Sequence, residues 1–382
     1  MKVFIIRLVS IVIAILFGSS LFFLLLRAGN KSKGPLEDLF SSVHAAVARG
    51  EKSLIDIRES RSSTLLWFNS IRNNKMAVNK TERILLGAYD DHTFESYENI
   101  ISLEDSLKTK LPIISIYSAW GSKKDQMFPL LRAQAIYDLG SIPMITWEPW
   151  LNDFDPVKYP LNNGLQNRNK GGLKAIAEGK YDEYIDKWAG DALRFGLPFY
   201  VRYGHEMNDP YRYPWGQQNN SPEDYIAAWK HIVKRFRDLG ADNAIWVWSP
   251  HPAYATYKQF YPGAEYVDWV GVTALNYGTV ATWSQWWPFK DIFQKSYDEM
   301  SLYDKPMMLT EFGSLAVGGD RAKWFTEALT TLPAKYPKVK AVIFFHAASD
   351  NTITYKALDW SFESDRKVLS SVRTAIQKWD NQ

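Results

Sequence analysis

Cysteine is absent from the 382 residues of this chain. Its absence excludes disulfide bonds, a thiolate nucleophile and a cysteine-bound metal. The zinc-protease pattern His-Glu-x-x-His is also missing, because Asp209 stands where a second histidine would follow His205 and Glu206. No glycine-rich phosphate loop follows an early apolar run, which weighs against a nucleotide-binding, doubly wound sheet.

A strong charge of either sign is missing as well. The net charge is +3, and residues 1–33 contain five basic side chains and no acidic one. The rest of the chain therefore has a small net negative charge. Such a nearly neutral body has no electrostatic footprint for nucleic acid, and we predict no nucleic-acid partner.

Aromatic residues, in contrast, are abundant. The chain has 16 Trp, 21 Tyr and 20 Phe, more than a core of this size requires. Flat aromatic rings pack well on the apolar faces of sugar rings, so the surplus favours a carbohydrate-binding cleft. An aromatic-rich core accounts for part of the count.

The amino-terminal segment contains a long apolar run. Residues 8–26 carry no charge, and a helix of this length would cross a bilayer. We therefore predict a membrane anchor over residues 1–33 and a partly helical stalk over 34–80, with the following domain outside the cytoplasm. The alternative is a cleaved signal peptide and secretion, although the apolar part of such a peptide usually has only ~7–15 residues.

From residue 81 to residue 382 the sequence becomes regular. Eight short apolar runs suit buried parallel strands. They cover residues 84–89, 112–117, 143–147, 199–203, 244–248, 269–274, 306–310 and 341–345. Helical patterns lie between them, so we predict an α/β fold in the form of a (β/α)₈ TIM barrel, with a doubly wound sheet as the alternative.

Three of the intervening helices have clear signals. Ser221 is a good N-cap, Pro222 fits the first helical position and Gly240 marks the end of that helix. The other two helices are predicted over residues 181–195 and 321–332.

In a (β/α)₈ barrel, functional side chains lie at the carboxyl ends of the strands. The fourth run ends in His205 and Glu206, and the seventh ends in Glu311. Two carboxyl groups at one barrel mouth are the requirement of glycoside hydrolysis. Retaining enzymes place them ~5–5.5 Å apart and inverting enzymes ~6.5–9.5 Å apart, a difference that sequence cannot measure.

Four motifs resemble those of glycoside hydrolase family 26, whose members are retaining endo-β-mannanases and related β-glycanases with a (β/α)₈ fold. The motifs are YVRYGHEMND followed by YPWG, then WVWSPH, YPGAEYVDWVG and KPMMLTEFGS. The resemblance covers residues 83–375. It implies Glu206 as the acid/base and Glu311 as the nucleophile, and it implies substrate-side roles for His205, Asn208, Trp215 and Asn276.

The chain departs from this family pattern at three places. Leu275 stands where a tyrosine bonded to the nucleophile is expected, although Tyr277 follows closely. Phe345 and His346 end the eighth run where a tryptophan is expected. After the third run, where mannanases often have a histidine, the chain has Trp147-Glu148-Pro149-Trp150. These departures favour a β-glucan or an unusual polysaccharide over mannan.

Further substrate-binding candidates come from their positions at run ends. These are Trp120, Trp147, Glu148, Trp248, Tyr277 and His346, with Trp150, Asp90, Asp91, His251 and Asp350 as weaker ones. No cofactor and no metal ligand are predicted.

We therefore expect a retaining, endo-acting β-glycoside hydrolase. Its polysaccharide substrate would be of the β-1,4-mannan or of the mixed-linkage or β-1,4-glucan type. One alternative is a non-catalytic carbohydrate-binding or exopolysaccharide-assembly protein, for which the departures at Leu275 and His346 argue. Another is a transglycosylase on the cell's own polysaccharide.

Overall fold

The computed structural model describes residues 65–161, 167–351 and 357–379. Eight parallel strands form a closed barrel in chain order. They are β1 (Leu85–Tyr89), β2 (Ile113–Ala119), β3 (Ile142–Glu148), β4 (Phe199–Tyr203), β5 (Ala244–Trp248), β6 (Trp269–Asn276), β7 (Met307–Ser314) and β8 (Val339–Phe345). β1 pairs with β8 from Leu85 to Tyr89, which closes the ring. The (β/α)₈ prediction is confirmed, and each predicted run corresponds to one strand.

The described α-helices precede the barrel, connect its strands or follow its last strand. They are α1 (Leu66–Asn69), α2 (Lys75–Asn79), α3 (Glu98–Leu107), α4 (Leu130–Asp138), α5 (Gly172–Ala177), α6 (Asp182–Phe195), α7 (Pro222–Asp238), α8 (Phe289–Met300), α9 (Arg321–Lys335) and α10 (Arg366–Gln377). The three helices predicted from sequence are α6, α7 and α9, with ends that differ by up to three residues.

Local sequence explains where α7 begins and ends. The Ser221 hydroxyl accepts a hydrogen bond from the Asp224 backbone N–H, and the Asp224 carboxylate accepts one from the Ser221 N–H. This capping box satisfies backbone donors that the first helical turn leaves free. The helix ends before Gly240, whose φ of 76° suits glycine.

An aromatic layer lies between the strands and the outer helices. Trp147 of β3 stacks on Trp188 of α6 with ring centroids 4.2 Å apart, and Trp120 packs against Trp147 at 4.7 Å. Both Trp120 and Trp147 are fully buried. Much of the aromatic surplus is therefore core packing, which contributes a large hydrophobic stabilisation.

The chain from residue 65 to residue 80 packs against the barrel. Phe68 and Val78 are fully buried. Asn79 accepts a hydrogen bond from Trp269 Nε1 at 2.8 Å, and Lys75 forms an ion pair with Asp268 at 3.1 Å. Because Trp269 begins β6, this segment covers the amino-terminal end of the barrel. The last part of the predicted stalk is thus in contact with the barrel domain.

The predicted membrane anchor and the first part of the stalk lie outside the described residues. Within the described ranges, no helix combines the length and apolarity that crossing a membrane requires. The anchor over residues 1–33 stays a prediction.

Candidate active site

Glu206 lies at the carboxyl-terminal mouth of the barrel in an unusual backbone conformation. Its φ is 53°, in the left-handed region that costs a non-glycine residue about 1–2 kcal/mol. Two hydrogen bonds maintain this turn: the Glu206 N–H donates to Ser249 O at 2.7 Å, and the Asp209 N–H donates to Glu206 O at 2.9 Å. A strained backbone that its surroundings hold in place is characteristic of functional sites.

The Glu206 carboxyl group has a neutral donor and a nearby cation. Thr273 Oγ1 of β6 donates to Oε1 at 2.9 Å. Arg212 Nη1 lies 3.6 Å from Oε2, beyond hydrogen-bonding distance. The residue is only 2% exposed, so this carboxyl group has little contact with bulk water.

Glu311 of β7 is held much more strongly. Its Oε1 accepts a hydrogen bond from Arg202 Nη2 at 2.7 Å and another from the Tyr117 hydroxyl at 2.8 Å. Arg202 Nη2 also donates to the Tyr117 oxygen at 2.9 Å, which closes a triangle of three polar groups. An arginine and a phenol on one oxygen stabilise the ionised carboxylate.

Both donors to Glu311 keep their protons. Burial opposes the charge on Arg202, but Tyr117 and Glu311 raise the pKa of Arg202 above its ordinary value. Burial and the nearby Glu311 charge raise the pKa of Tyr117 well above its ordinary value. Arg202 therefore stays charged and Tyr117 stays neutral near pH 7, so both continue to donate hydrogen bonds to Glu311.

The strand register brings the two carboxyl groups to one mouth. Thr273, whose hydroxyl contacts Glu206, is the direct β-sheet partner of Glu311. Neighbouring strands are ~4.8 Å apart, so the backbone of Glu311 lies one strand away from the group that touches Glu206. The register shifts between Val272 and Thr273, and such a bulge re-aims the side chains beside it.

His205 and Glu148 lie next to the acid pair. His205 Nε2 is 3.0 Å from the Tyr213 hydroxyl, and burial together with Arg202 and Arg212 lowers the pKa of His205 well below its ordinary value. Burial raises the pKa of Glu148 to about 7, although the hydrogen bond from Trp150 Nε1 at 3.0 Å opposes this rise.

Asn208, in contrast, is turned away from the mouth into the structure. Its amide nitrogen donates to the backbone oxygens of His251 and Tyr254, and its oxygen accepts from the His251 N–H at 2.7 Å. Asn208 is fully buried. The amide therefore joins the loops after β4 and β5, and this structural role differs from the predicted substrate contact.

Three of the predicted tryptophan platforms are core residues instead. Trp120, Trp147 and Trp248 are fully buried. Trp248 packs against Tyr257, Tyr261 and Tyr303 on the outer side of the barrel. Adjacent strand residues point to opposite faces, so Trp147 faces the helices because Glu148 faces the mouth. These three rings are enclosed in the core of this structure, and their predicted sugar contact stays a prediction.

Trp215 supports the site from below the surface. Its Nε1 donates to His205 O at 2.7 Å, and its ring stacks on Tyr213 with centroids 4.7 Å apart. Only 2% of Trp215 is exposed. In this structure it fixes the His205 backbone and offers little open face to a ligand.

The rim near β6 and β8 is aromatic. Phe345 stacks on Tyr89 at 5.3 Å, and the buried Trp360 packs edge-on against both Phe345 and Tyr277. The half-buried Phe345 thus lies at the position where a tryptophan was expected to form the floor of the sugar site. Asn276 at the end of β6 is fully buried. Its oxygen accepts from the Gly278 N–H, and its Nδ2 has no hydrogen-bond partner within the described ranges.

His346 belongs to a polar cluster at the ends of β8 and β1. Its Nδ1 is 3.6 Å from Asp90 Oδ2, and its Nε2 accepts a weak hydrogen bond from the Phe362 N–H. Asp90, Asp91 and His92 place their ligand atoms within 4.8 Å of one another, as a metal site would. Asn99 and the His92 N–H already bond Asp90, so we assign this cluster to loop structure.

Asp350, the other weak candidate at this end, accepts a hydrogen bond from Trp360 Nε1 at 2.9 Å. Tyr117, Arg202 and Thr273 contact the acid pair but were not predicted from the sequence. They come from β2, β4 and β6, so only the closed barrel brings them together. Of the three, only Arg202 could have been suspected from the sequence. An arginine within an apolar strand is expected to be buried, and a buried arginine is almost always paired.

A parallel (β/α)₈ barrel with two unequal carboxyl groups at its mouth is an arrangement suited to a glycoside hydrolase. Residues 170–305 match the model of glycosyl hydrolase family 26. Endoglucanase H of Acetivibrio thermocellus is 34% identical over 321 residues, which are 82% of this chain and 32% of that protein. A mannan endo-1,4-beta-mannosidase of Bacillus subtilis is 30% identical over 163 residues, 41% of this chain and 40% of that protein.

Solved structures agree with the fold. Bacillus subtilis mannanase man26 has a TM-score of 0.54 at 20% identity and covers 82% of this chain and 90% of its own. A GH26 beta-mannanase from Bacteroides ovatus has a TM-score of 0.55 at 18% identity, with coverages of 79% and 90%. The chain belongs to glycosyl hydrolase family 26, which confirms the resemblance of the motifs. It spans about a third to two fifths of the length of the two curated relatives.

Proposed function

We propose that this protein is an endo-acting, retaining β-glycoside hydrolase in which Glu311 is the nucleophile and Glu206 the acid/base. The observation that carries the proposal is the unequal support of the two carboxyl groups. Glu311 receives an arginine and a phenol on one oxygen, whereas Glu206 receives a single hydroxyl. The firmly held Glu311 suits the role of nucleophile, and Glu206, with fewer fixed hydrogen bonds, suits the role of acid/base.

The two groups perform a double displacement. Ionised Glu311 attacks the anomeric carbon while the glycosidic C–O bond breaks, and Glu206 gives its proton to the departing oxygen. The covalent glycosyl ester removes the Glu311 charge. Glu206 then accepts a proton from a water molecule that attacks the same carbon, and the ester bond breaks to release Glu311.

The structure also bears on the non-catalytic alternative. Leu275 suggested that the nucleophile lacked its phenol partner, but Tyr117 of β2 supplies that hydrogen bond. The departure at Leu275 therefore gives no reason for lost turnover, and we favour hydrolysis over a binding-only role.

We propose a β-1,4-linked glucan or mixed-linkage glucan as the first substrate to test and β-1,4-mannan as the second. Endoglucanase H matches most of this chain, whereas the mannosidase of Bacillus subtilis matches 41% of it. The stretch after β3, which has no histidine, and Phe345 at the end of β8 also depart from the mannanase pattern.

A polysaccharide panel tests the function directly. The purified full-length protein would be incubated with mixed-linkage β-glucan, carboxymethyl cellulose, glucomannan, mannan and β-1,3-xylan. Glu311→Ala should remove all cleavage, while the matched control Glu327→Ala, an exposed carboxylate on α9, should retain it. A folded wild-type protein that cleaves none of these polymers, or an active Glu311→Ala variant, would contradict the proposal. Added acceptor sugars would reveal transglycosylation as longer products.

A further inference from the structure

Trp283 lies in the loop that joins β6 to α8, and 59% of it is exposed, the largest exposed fraction among the described tryptophans. The two-glutamate mechanism gives this side chain no task. A single exposed apolar residue is ordinary on a protein surface. Trp283 differs from such a residue in its position, because its ring continues an aromatic surface that begins inside the active-site mouth.

Ring contacts connect Trp283 to the mouth. Its ring centroid is 5.4 Å from that of Tyr277, and Tyr277 packs edge-on against the buried Trp360 at 4.9 Å. Trp360 contacts Phe345 at 5.9 Å, and Phe345 stacks on Tyr89 at 5.3 Å. These five rings form a continuous aromatic rim, of which Trp283 is the exposed outer end.

The inner end of the aromatic rim reaches the two carboxyl groups. The Tyr89 ring packs against Tyr117 at 4.8 Å, and the Tyr117 hydroxyl donates to the proposed nucleophile Glu311. Tyr277 is close to the same site, since burial raises its pKa above its ordinary value and the charges of Glu206 and Glu311 raise it further. A polysaccharide that runs along the rim would therefore have one unit at the carboxyl groups and another at the exposed ring.

Hydrogen bonds hold the loop that carries this ring. Asn276 Oδ1 accepts from the Gly278 N–H at 3.1 Å and from the Trp287 N–H at 3.4 Å, which ties the two ends of the loop together. Within the loop, the Ala281 N–H donates to Ser284 Oγ at 3.1 Å, and the turn that they close contains the exposed ring. A ring that is already held in place loses less conformational freedom when a ligand binds.

We propose that Trp283 is a sugar platform at the outer end of the active-site mouth, where its ring packs on the flat face of a sugar unit other than the one undergoing reaction. The inference rests on the proposed glycosidase function, which supplies the polysaccharide. A flat indole ring offers a large contact area to the apolar face of a sugar. Oligosaccharides too short to span from the carboxyl groups to this ring gain nothing from it, so the platform favours long chains.

A chain-length series measures this contact. The purified full-length protein would receive cello-oligosaccharides of three to six units, or manno-oligosaccharides of the same lengths if mannan is the polymer that the panel shows to be cleaved. In wild type, kcat/KM should rise at least tenfold at the added unit that first reaches Trp283, because a tryptophan covered on binding commonly contributes this much. In Trp283→Ala the rise at that step should be less than threefold, while shorter oligosaccharides stay within threefold of wild type.

Two further variants separate the ring from the loop. Trp283→Phe keeps an aromatic face and should retain a rise of more than threefold at the same step. Trp287→Ala is the matched control, because Trp287 lies on the same loop and is 46% exposed, but within the described ranges no ring contact joins it to the aromatic rim. This control should keep the full tenfold rise. Thermal unfolding would verify that each variant is folded, and a disturbed loop would lower kcat/KM at every chain length alike.

Binding without turnover gives a second readout. Glu311→Ala, with and without Trp283→Ala, would be run through native gels that contain mixed-linkage β-glucan or mannan. The polymer should retard the single variant, and its apparent Kd should be at least fivefold weaker for the double variant. This measurement does not depend on cleavage.

The outcomes separate this inference from the function on which it rests. A wild type that cleaves no polymer of the panel would contradict the proposed function, whereas the gels would still test the platform. An active wild type whose chain-length profile and retardation are unchanged by Trp283→Ala would overturn the platform alone. A loss of the same step in Trp287→Ala would overturn the assignment to Trp283.

Discussion

Replacing Tyr117 with phenylalanine removes one of the two donors to the proposed nucleophile and keeps the ring. The Tyr117 hydroxyl is 2.8 Å from Glu311 Oε1 and accepts from Arg202 at 2.9 Å. A hydrogen bond to a charged group is worth about 1.5–3 kcal/mol. If that bond supports the reactive carboxylate, kcat/KM should fall by roughly 10- to 150-fold in Tyr117→Phe.

A second tyrosine provides the matched control. Tyr203 is also fully buried, and its hydroxyl has no hydrogen-bond partner within the described ranges. Tyr203→Phe removes the same atom from a position where it bonds nothing, so activity should stay within about threefold of wild type. Steady-state kinetics and thermal unfolding would be measured for both variants. A Tyr117→Phe enzyme as active as the Tyr203→Phe enzyme would refute the support of Glu311 by the phenol.

The remaining predictions concern Glu206 and the amino terminus. Glu206→Ala should slow polysaccharide cleavage far more than cleavage of an activated aryl glycoside, because a good leaving group needs no proton; equal losses on both would contradict the acid role. Glu206→Gly should be inactive but about 1 kcal/mol more stable than Glu206→Ala in denaturant unfolding, since glycine adopts the φ of 53° without strain; equal stabilities would exclude that strain. Residues 8–26 should keep the full-length protein on membranes through a carbonate wash, and release into the supernatant would refute the anchor.

The sequence predicted the barrel well because buried parallel strands are short apolar runs. Glu206 and Glu311 were singled out as well, because each lies within three residues of the end of such a run. The contacts to them were not predicted, because Tyr117 and Arg202 meet Glu311 only across the closed barrel. The left-handed backbone of Glu206 likewise has no signature in the residue types around it.

The tryptophans show what the position of a residue at a strand end leaves open. Trp147 and Glu148 are neighbours on β3, and both were predicted to contact sugar. Strand alternation allows only one of the two to face the mouth, and the structure places Glu148 there and Trp147 against Trp188. Applying the alternation rule to each strand end would have removed Trp147 from the candidates.

The stereochemistry of the first product tests the double displacement most directly. Proton NMR would follow the anomeric signals during the first minutes of polysaccharide cleavage, before mutarotation mixes the anomers. Two successive inversions, one at Glu311 and one by water, predict the β-anomer as the initial product. An initial α-anomer would show a single displacement and contradict the assignment of Glu311 as nucleophile.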